Sequence, residues 1–253
     1  MQWASLKASE LQALSKQDAI VVIPVASIEN HGPHLSTGVD IVLTGEIAMR
    51  AAARCNGPVP VIVTPTVWCA LGAMHMSLGG TMTLDLETLA ALLRCLALSI
   101  VRQGFKRIFL LNGHGGNVGA LMAITNDLGA ELDIAIATAS YSQLAKDEFA
   151  AILEDQSSLE HACEGETSMM LALAPDQVDS SLFSQAIGPT SPTSQDIAGP
   201  AVHRWRSFAA RSSHGAIGNP TRASAEKGER LLKAAADRVS DLLRNETFWT
   251  MTF

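Results

Sequence analysis

Short apolar runs rich in β-branched residues alternate with longer helical patterns along this chain, and this alternation limits the folds open to it. The runs cover residues 20–25, 59–64, 107–111 and 134–138. Continuous apolar runs of this length are typical of strands that are covered on both faces. Strands that alternate with helices indicate a mostly parallel sheet. The sequence therefore predicts an α/β fold, with no internal repeat and no clear domain boundary.

Helical patterns fill most of the chain between these runs. They cover residues 41–54, 86–100, 118–128, 142–153, 167–173 and 225–243. Asp85 is placed to cap the second of them, and Gly104 to end it. Pro24 lies within the first apolar run, so we expect the pairing of that strand to fade near its end. The stretch 184–200, rich in Ser, Thr, Pro, Gly and Gln, predicts a long surface loop.

The composition excludes several classes of function. Of the 253 residues, 47% are hydrophobic, and 25 acidic against 18 basic side chains give a net charge of −7. An acidic surface repels phosphate backbones, so nucleic acid is a poor partner. The longest apolar stretch, 89–101, contains Arg94 and is too short to span a bilayer. The chain shows no signal-peptide pattern and no C-x-x-C pair, so we expect a reduced, cytoplasmic protein with no membrane partner.

Three polar clusters follow the predicted strands or open the predicted helices. The first cluster contains Glu29, His31 and His34 with Asp40 after them, the second is the loop Asn-Gly-His-Gly-Gly-Asn at 112–117, and the third spans 160–168. In an open parallel sheet, ligands bind beyond the carboxyl ends of the strands, so the first two clusters meet if their strands are neighbours. Residues two apart in an extended segment point to the same side, which places Glu29 beside His31. Carboxylates together with imidazoles suit Zn, Mn or Fe.

Each cluster by itself also has a plainer interpretation. The histidines of the first cluster suit a turn in which imidazoles bond to backbone, and Asp40 suits a helix N-cap. The loop 112–117 suits a phosphate at a helix N-terminus, although it lacks the Lys-Ser/Thr of a P-loop and the G-x-G-x-x-G of a dinucleotide fold. The third cluster suits a solvated acidic turn. The presence of all three clusters in one α/β chain favours a metal site.

The ordered motifs are similar to those of the creatininase (creatinine amidohydrolase) family. They are Glu29-x-His31-Gly32-Pro33-His34 with Asp40, His75 with Gly79-Gly80-Thr81, Asn112 to Asn117, His161-Ala162-x-Glu164-x-Glu166, and Ala225 to Gly228. The match extends in order from about Val21 to Gly228. The resemblance implies a single three-layer α/β/α domain over residues 1–253, a homohexamer, and two divalent metal ions per chain.

The resemblance also implies roles for individual residues. Glu29 and His114 bind one metal ion, His31 binds the other, and Asp40 bridges them. In creatininase itself a glutamate two residues after the central histidine completes the second ion, but that position here is Gly116. This departure resembles the branch of the family that includes formamide deformylases and the peptidase of mycofactocin maturation.

The third cluster supplies the remaining predicted roles. Catalytic sites of this kind usually have three protein ligands, and the second ion otherwise has two, so we expect a carboxylate of this cluster to complete it. We select Glu164 because it follows His161 by three residues and one helical turn would direct both inward. Glu166 then caps the helix. His161 is the predicted proton donor to the departing nitrogen, with Glu160 as its neighbour or as a substrate contact.

These residues predict a metal-dependent amidohydrolase. Two divalent cations lower the pKa of a shared water, so that a hydroxide is available near neutral pH and attacks an amide carbon. The expected substrate is a small molecule with a C–N amide bond, such as a cyclic amide or a formamide. Two alternatives stay open: a peptidase that trims a short modified peptide, and, from another class, a non-catalytic phosphate- or nucleotide-binding module built on residues 112–117.

Overall fold

Four parallel strands form the sheet of this protein, of which the computed structural model describes residues 1–189 and 204–250. The strands are β1 (Ile20–Val25), β2 (Val61–Val63), β3 (Arg107–Asn112) and β4 (Ala135–Ser140). Their order is β2-β1-β3-β4, and each neighbouring pair is parallel. The predicted α/β class with a mostly parallel sheet is confirmed, and β1 lies inside the sheet because it pairs on both sides.

The described residues form nine α-helices. They are α1 (Ala8–Ser15), α2 (Val39–Arg54), α3 (Leu86–Val101), α4 (Val118–Leu132), α5 (Tyr141–Leu144), α6 (Lys146–Ile152), α7 (Glu164–Leu173), α8 (Ala225–Arg244) and α9 (Glu246–Thr250). Asp85 caps α3 as predicted, since its side chain accepts a hydrogen bond from the Thr88 backbone N–H at 2.7 Å. None of these helices is both long and apolar enough to cross a bilayer.

Side-chain alternation along the strands builds a core on each face of the sheet. Along β1, Ile20 and Val22 belong to one buried cluster, whereas Val21, Ile23 and Val25 belong to the other. Helices α2, α7 and α8 complete the first cluster, and α1, α3 and α4 complete the second. Because successive strand residues point to opposite faces, the sheet is covered on both sides. The result is the three-layer α/β/α arrangement that the family resemblance implies.

The pairing of β1 with β2 ends at Val22, opposite Val63, before Pro24 is reached, whereas its pairing with β3 continues past Pro24. Pro24 pairs with Leu111 of β3, and the strand continues to Val25. On the other side, its carbonyl oxygen accepts a hydrogen bond from the Val67 N–H at 2.9 Å. The N–H and C=O of a strand residue point to the same side of the strand. The N–H that proline lacks would therefore point away from β3, towards the side on which β2 has already ended at Val63, and no bond between strands is lost.

Three helical segments differ from the predicted pattern, and the short α9 at residues 246–250, which no predicted pattern covers, is one of them. The segment 142–153 forms two helices, because Ala145 between α5 and α6 leaves the helical conformation, with φ −103° and ψ 21°. Helix α1 escapes the sequence analysis because Leu11 is its single buried residue, which leaves no apolar periodicity to detect. The predicted loop 184–200 lies mostly outside the described residues.

Helices α7 and α8 approach each other closely at Gly228. A Cβ atom there would lie 1.9 Å from the Ser168 carbonyl oxygen, so only glycine permits this spacing. The Ser168 hydroxyl oxygen also accepts a hydrogen bond from the Ser224 N–H at 3.1 Å. Ser224 in turn caps α8 by accepting from the Lys227 N–H at 3.2 Å. The start of α8 is thereby fixed against α7, the helix that carries the third polar cluster.

The close approach predicts that Gly228→Ala destabilises the protein. The added methyl overlaps the Ser168 carbonyl, and overpacking of this kind costs about 1–3 kcal/mol or more. Gly119→Ala is the matched control, because no described atom lies within 4 Å of a Cβ at that helical position. It should gain up to about 1 kcal/mol from helix propensity. Urea unfolding of both variants measures the difference, and equal stabilities would contradict the packing argument.

Candidate metal centre

The candidate site lies beyond the carboxyl ends of β1 and β3. Glu29 and His31 follow β1, and His114 follows β3 by two residues. Strands β1 and β3 are paired neighbours, so the first two polar clusters meet at one edge of the sheet, as predicted. All three side chains are buried.

Asn112, the last residue of β3, holds the loop that carries His114. Its Nδ2 donates to the His114 carbonyl oxygen and to Ser140 Oγ, both at 2.8 Å, and its Oδ1 accepts from the His114 N–H at 3.1 Å. His114 Nε2 lies 3.0 Å from the Leu71 carbonyl oxygen. Since a carbonyl only accepts, Nε2 carries a proton, and Nδ1 is the ring nitrogen that faces the carboxylates.

Asp40 lies between two histidines. Its Oδ2 is 3.3 Å from His114 Nδ1, and its Oδ1 is 3.3 Å from His31 Nε2. His31 Nδ1 lies 3.2 Å from the Glu29 carbonyl oxygen, so Nδ1 carries the proton and Nε2 is directed at Asp40. Glu29 Oε1 lies 3.0 Å from His114 Nδ1. The structure thus brings together the four predicted ligands of the first two clusters.

The third cluster adds Glu166 to this group. Its Oε2 lies 3.7 Å from His31 Nε2 and accepts a hydrogen bond from the Ala162 N–H at 2.6 Å. Within the described chain, three sets of side chains offer ligand atoms that lie within 4.8 Å of one another. They are Glu29 with His75 and His114, Glu29 with His31 and His161, and His31 with Asp40 and Glu166.

Glu164, the carboxylate predicted to bind the second ion, lies outside all three sets. Its Oε1 pairs with Lys227 Nζ at 2.6 Å. Its two oxygens also accept hydrogen bonds from the backbone N–H groups of Glu154 and Asp155 at 3.1 to 3.2 Å. The structure therefore places Glu164 away from the clustered carboxylates and imidazoles and in contact with Lys227.

Helix phase explains the position of Glu164. Helix α7 begins only at Glu164, after Cys163 as N-cap, so His161 precedes the helix and the three-residue spacing is not a helical turn. Residues two apart within a helix point about 200° away from each other. Because Glu166 faces the histidines, Glu164 must face α8, where Lys227 compensates its charge.

Two further histidines complete the cluster, with a phenylalanine packed on them. His161 Nε2 lies 2.6 Å from the Asn30 carbonyl oxygen, and its Nδ1 lies 3.6 Å from Glu29 Oε1. His75 Nε2 lies 3.4 Å from the same carboxylate oxygen. Phe208 stacks on His75 with ring centroids 4.1 Å apart and lies 4.7 Å from the His161 ring. The predicted proton donor therefore lies inside the cluster.

Glu160 and His34 lie around the cluster. Glu160 Oε1 accepts a hydrogen bond from the Ser158 hydroxyl at 3.0 Å, and its contact with substrate stays a prediction. His34 Nε2 lies 2.8 Å from Thr167 Oγ1. This bond ties the first polar cluster to α7 and so helps to position Glu166.

The buried charges shift the pKa values of the cluster in opposite directions. Burial alone would lower the pKa of His31, but the neighbouring carboxylates, Asp40 first, raise it to about 9. Burial, followed by the positive charge of His114, lowers the pKa of His75 to about 3. Burial raises the pKa of Glu166 to about 8, although the charge of His31 opposes this shift. Positive charge therefore concentrates beside Asp40, while His75 is held neutral.

The donor set fits divalent metal ions. Among the described residues, no hydrogen bond reaches either carboxylate oxygen of Glu29, Nε2 of His31 or Oδ2 of Asp40, although all four atoms are buried. Buried polar atoms are normally hydrogen-bonded, so these four suit a ligand that accepts their lone pairs. Carboxylate and imidazole ligands are the set found at Zn, Mn and Fe sites.

Comparison with known proteins shows which family the chain belongs to. The family described as creatinine amidohydrolase matches residues 4–243. The chain belongs to the creatininase family. Mycofactocin precursor peptide peptidase of Mycolicibacterium smegmatis is 30% identical over 248 residues, which covers 93% of this chain and 90% of that protein. Creatinine amidohydrolase of Pseudomonas putida is 28% identical over 247 residues, with 90% of each chain covered.

Solved creatininase structures share the fold. A crystal structure of creatinine amidohydrolase matches with a TM-score of 0.82 at 25% identity, covering 99% of this chain and 98% of that one. A manganese form matches with a TM-score of 0.82 at 25% identity, covering 99% of each chain. A variant described as of Zn-Zn type matches with a TM-score of 0.80 at 25% identity, covering 99% and 98%. The family predicted from the motifs is confirmed.

Two residues of this creatininase-family site escape the sequence analysis. The sequence analysis gives Glu166 only a helix-capping role. Residues two apart in a helix point about 200° away from each other, so Glu164 and Glu166 cannot both face the site, and this rule was the available signal. Phe208 is marked by no local pattern. It reaches His75 through a fold contact across more than 130 residues of sequence, and no spacing rule covers such a distance.

The buried pair of Glu164 and Lys227 predicts a stability effect without a metal effect. Glu164→Gln removes a charge that compensates Lys227. We expect the free energy of unfolding to fall by about 2 kcal/mol, because one partner of a buried ion pair is lost. The loss is moderate because Glu154 still pairs with the lysine. The exposed Glu226→Gln is the control and should change stability by less than about 0.5 kcal/mol. Urea unfolding and elemental analysis measure both quantities. Loss of a metal ion at unchanged stability would restore the ligand role.

Proposed function

We propose that this protein is a metal-dependent amidohydrolase that holds two divalent ions per chain and hydrolyses a C–N amide bond of a small substrate. The observation that carries the proposal is Asp40, whose two oxygens each face a different histidine at 3.3 Å. A carboxylate in this position suits a bridge between two ions. Two-metal hydrolytic sites have ions about 3.5–4 Å apart, a spacing that one carboxylate can span.

The distances support a division of the remaining ligands between the two ions. Glu29 and His114 lie together on one side of Asp40, and His31 and Glu166 lie together on the other. Glu166 thus takes the place that the sequence analysis gives to Glu164. The manganese and Zn-Zn forms of related creatininase structures support the choice of ions.

The protein's own residues supply proton transfer and positioning. When bound, the two ions act as Lewis acids and make water nucleophilic near neutral pH. His161 Nε2 donates to the Asn30 carbonyl oxygen at 2.6 Å. This leaves Nδ1, beside Glu29, to take up the proton that the attacking water loses and to pass it to the departing nitrogen. That nitrogen needs a proton, because an amide anion is a very poor leaving group. Phe208 packs against His75 and His161 and limits the water around them.

A second candidate is a peptidase that trims a short modified peptide. The peptidase of Mycolicibacterium smegmatis, 30% identical over most of both chains, favours it. The reaction at the scissile bond is the same, and only the substrate that enters the site differs. The phosphate-binding alternative is disfavoured, since Glu29, Asp40 and Glu166 are buried beside the loop 112–117 and repel an anion.

Metal dependence is the first test of the proposal. Purified protein should contain up to two Zn, Mn or Fe ions per chain, and chelation should abolish hydrolysis in a screen of cyclic amides, formamides and short peptides. Asp40→Ala should lose both ions, whereas Glu29→Ala and His31→Ala should each weaken one. Asp85→Ala is the control: it removes a helix cap at a cost of about 1 kcal/mol and leaves metal content unchanged. Full activity in protein shown to be metal-free would refute the proposal.

Proton donation by His161 is the second test. For an amide with a poor leaving group, His161→Ala should lower kcat about 10²–10⁴-fold while the metal content stays that of the wild type. An activated amide, whose leaving group departs without a proton, should lose much less. His214→Ala controls for the loss of an imidazole outside the cluster. Equal losses with both substrates would argue against the donor role.

A further inference from the structure

We propose that His75 is an additional ligand of the ion held by Glu29 and His114, so that this ion has two imidazole ligands and its neighbour has one. The inference rests on the proposed function. It adds a role for His75, which the division of ligands between the two ions does not include. Its basis is the set Glu29, His75 and His114, whose ligand atoms lie within 4.8 Å of one another.

The spacing of His75 is that of a co-ligand and not that of a hydrogen-bond partner. Its Nε2 lies 3.4 Å from Glu29 Oε1, beyond the usual 2.7–3.2 Å range of an N–H···O bond (about 2.9 Å at its mode). Two donor atoms bound to one ion at bond lengths of about 2.0–2.2 Å are separated by roughly 3.0–3.5 Å. The distance of 3.0 Å between the same oxygen and His114 Nδ1 falls in this range too.

The surroundings hold His75 in this position. It lies in a 3-10 helix (Ala73–Leu78) and is 1% exposed. Its ring stacks on Phe208 at an interplanar angle of 26° and packs against His161 with centroids 4.6 Å apart. These two contacts fix the plane of the ring and keep Nε2 directed at Glu29. A buried imidazole held this firmly loses little conformational entropy on binding an ion.

The loop after His114 offers no competing ligand. A Cβ atom at Gly116 would lie 2.4 Å from His114 Nε2 and 2.9 Å from the Leu71 carbonyl oxygen. Any side chain there would break the bond between these two groups, which directs His114 Nδ1 at the carboxylates. Position 116 therefore supplies no side chain to either ion, and His75 lies on another element with its ligand atom within 4.8 Å of those of Glu29 and His114.

The consequence is a difference in affinity between the two ions. One has Glu29, His75, His114 and a share of Asp40, and the other has His31, Glu166 and a share of Asp40. The extra protein ligand should make the first ion the last to leave during stepwise chelation. Removing His75 should abolish or reverse that order.

The test compares wild type, His75→Ala and the control His214→Ala, all loaded with zinc and then titrated with a chelator. We expect the wild type and the control to release two zinc ions in two separate steps. His75→Ala should bind the tighter ion at least about 10-fold more weakly. A roughly 10-fold loss of metal affinity is the lower end of the range seen when only a residue that supports a metal ligand is removed. Added imidazole should restore the affinity by filling the space left by the side chain.

A crystal structure of the zinc-loaded wild type decides the matter without any variant, in case His75→Ala fails to fold. We expect His75 Nε2 about 2.0–2.3 Å from zinc. A separation of more than about 3 Å, or unchanged zinc release in His75→Ala, overturns the inference and leaves the proposed function intact. A wild type that binds no divalent ion overturns the proposed function itself.

Discussion

The burial of three carboxylates at the edge of the sheet is the constraint on which the rest of the site depends. Glu29, Asp40 and Glu166 are between 0% and 6% exposed, and an isolated buried carboxylate costs several kcal/mol. Such a concentration of negative charge is stable only if cations or protons compensate it. The imidazoles around Asp40 carry those protons in the metal-free protein, and the same atoms are free to bind metal ions in exchange. The buried negative charge therefore accounts both for the raised pKa of His31 and for the fit of the cluster to divalent cations.

The third carboxylate reaches the site through helix packing. Gly228 lets α8 approach the backbone of α7, and Lys227 compensates Glu164 on the side of α7 that faces away from the histidines. This buried pair fixes the rotation of α7, and the rotation places Glu166 beside His31. Two glutamates separated by one residue thus have different tasks, one in the packing of the helices and one at the candidate metal centre.

The family relationship places substrate choice outside the cluster of carboxylates and imidazoles. Two relatives that each cover about 90% of this chain are named for different substrates, a precursor peptide and creatinine. Both names describe hydrolases, so the family relationship alone does not identify the substrate of this chain. Beside the carboxylates and imidazoles, Phe208 forms an aromatic surface against His75 and His161.

The sequence by itself determined the parallel α/β class, the family, and the meeting of the first two clusters, because apolar periodicity and strand ends are local properties and β1 and β3 pair as neighbours. It did not determine which glutamate faces the site, since His161 lies before the start of α7 and only the contact with Lys227 sets the helix phase. The sequence also did not predict that His75 and Phe208 lie against each other at the site. Their rings meet across more than 130 residues, and such a contact exists only once the layers have packed.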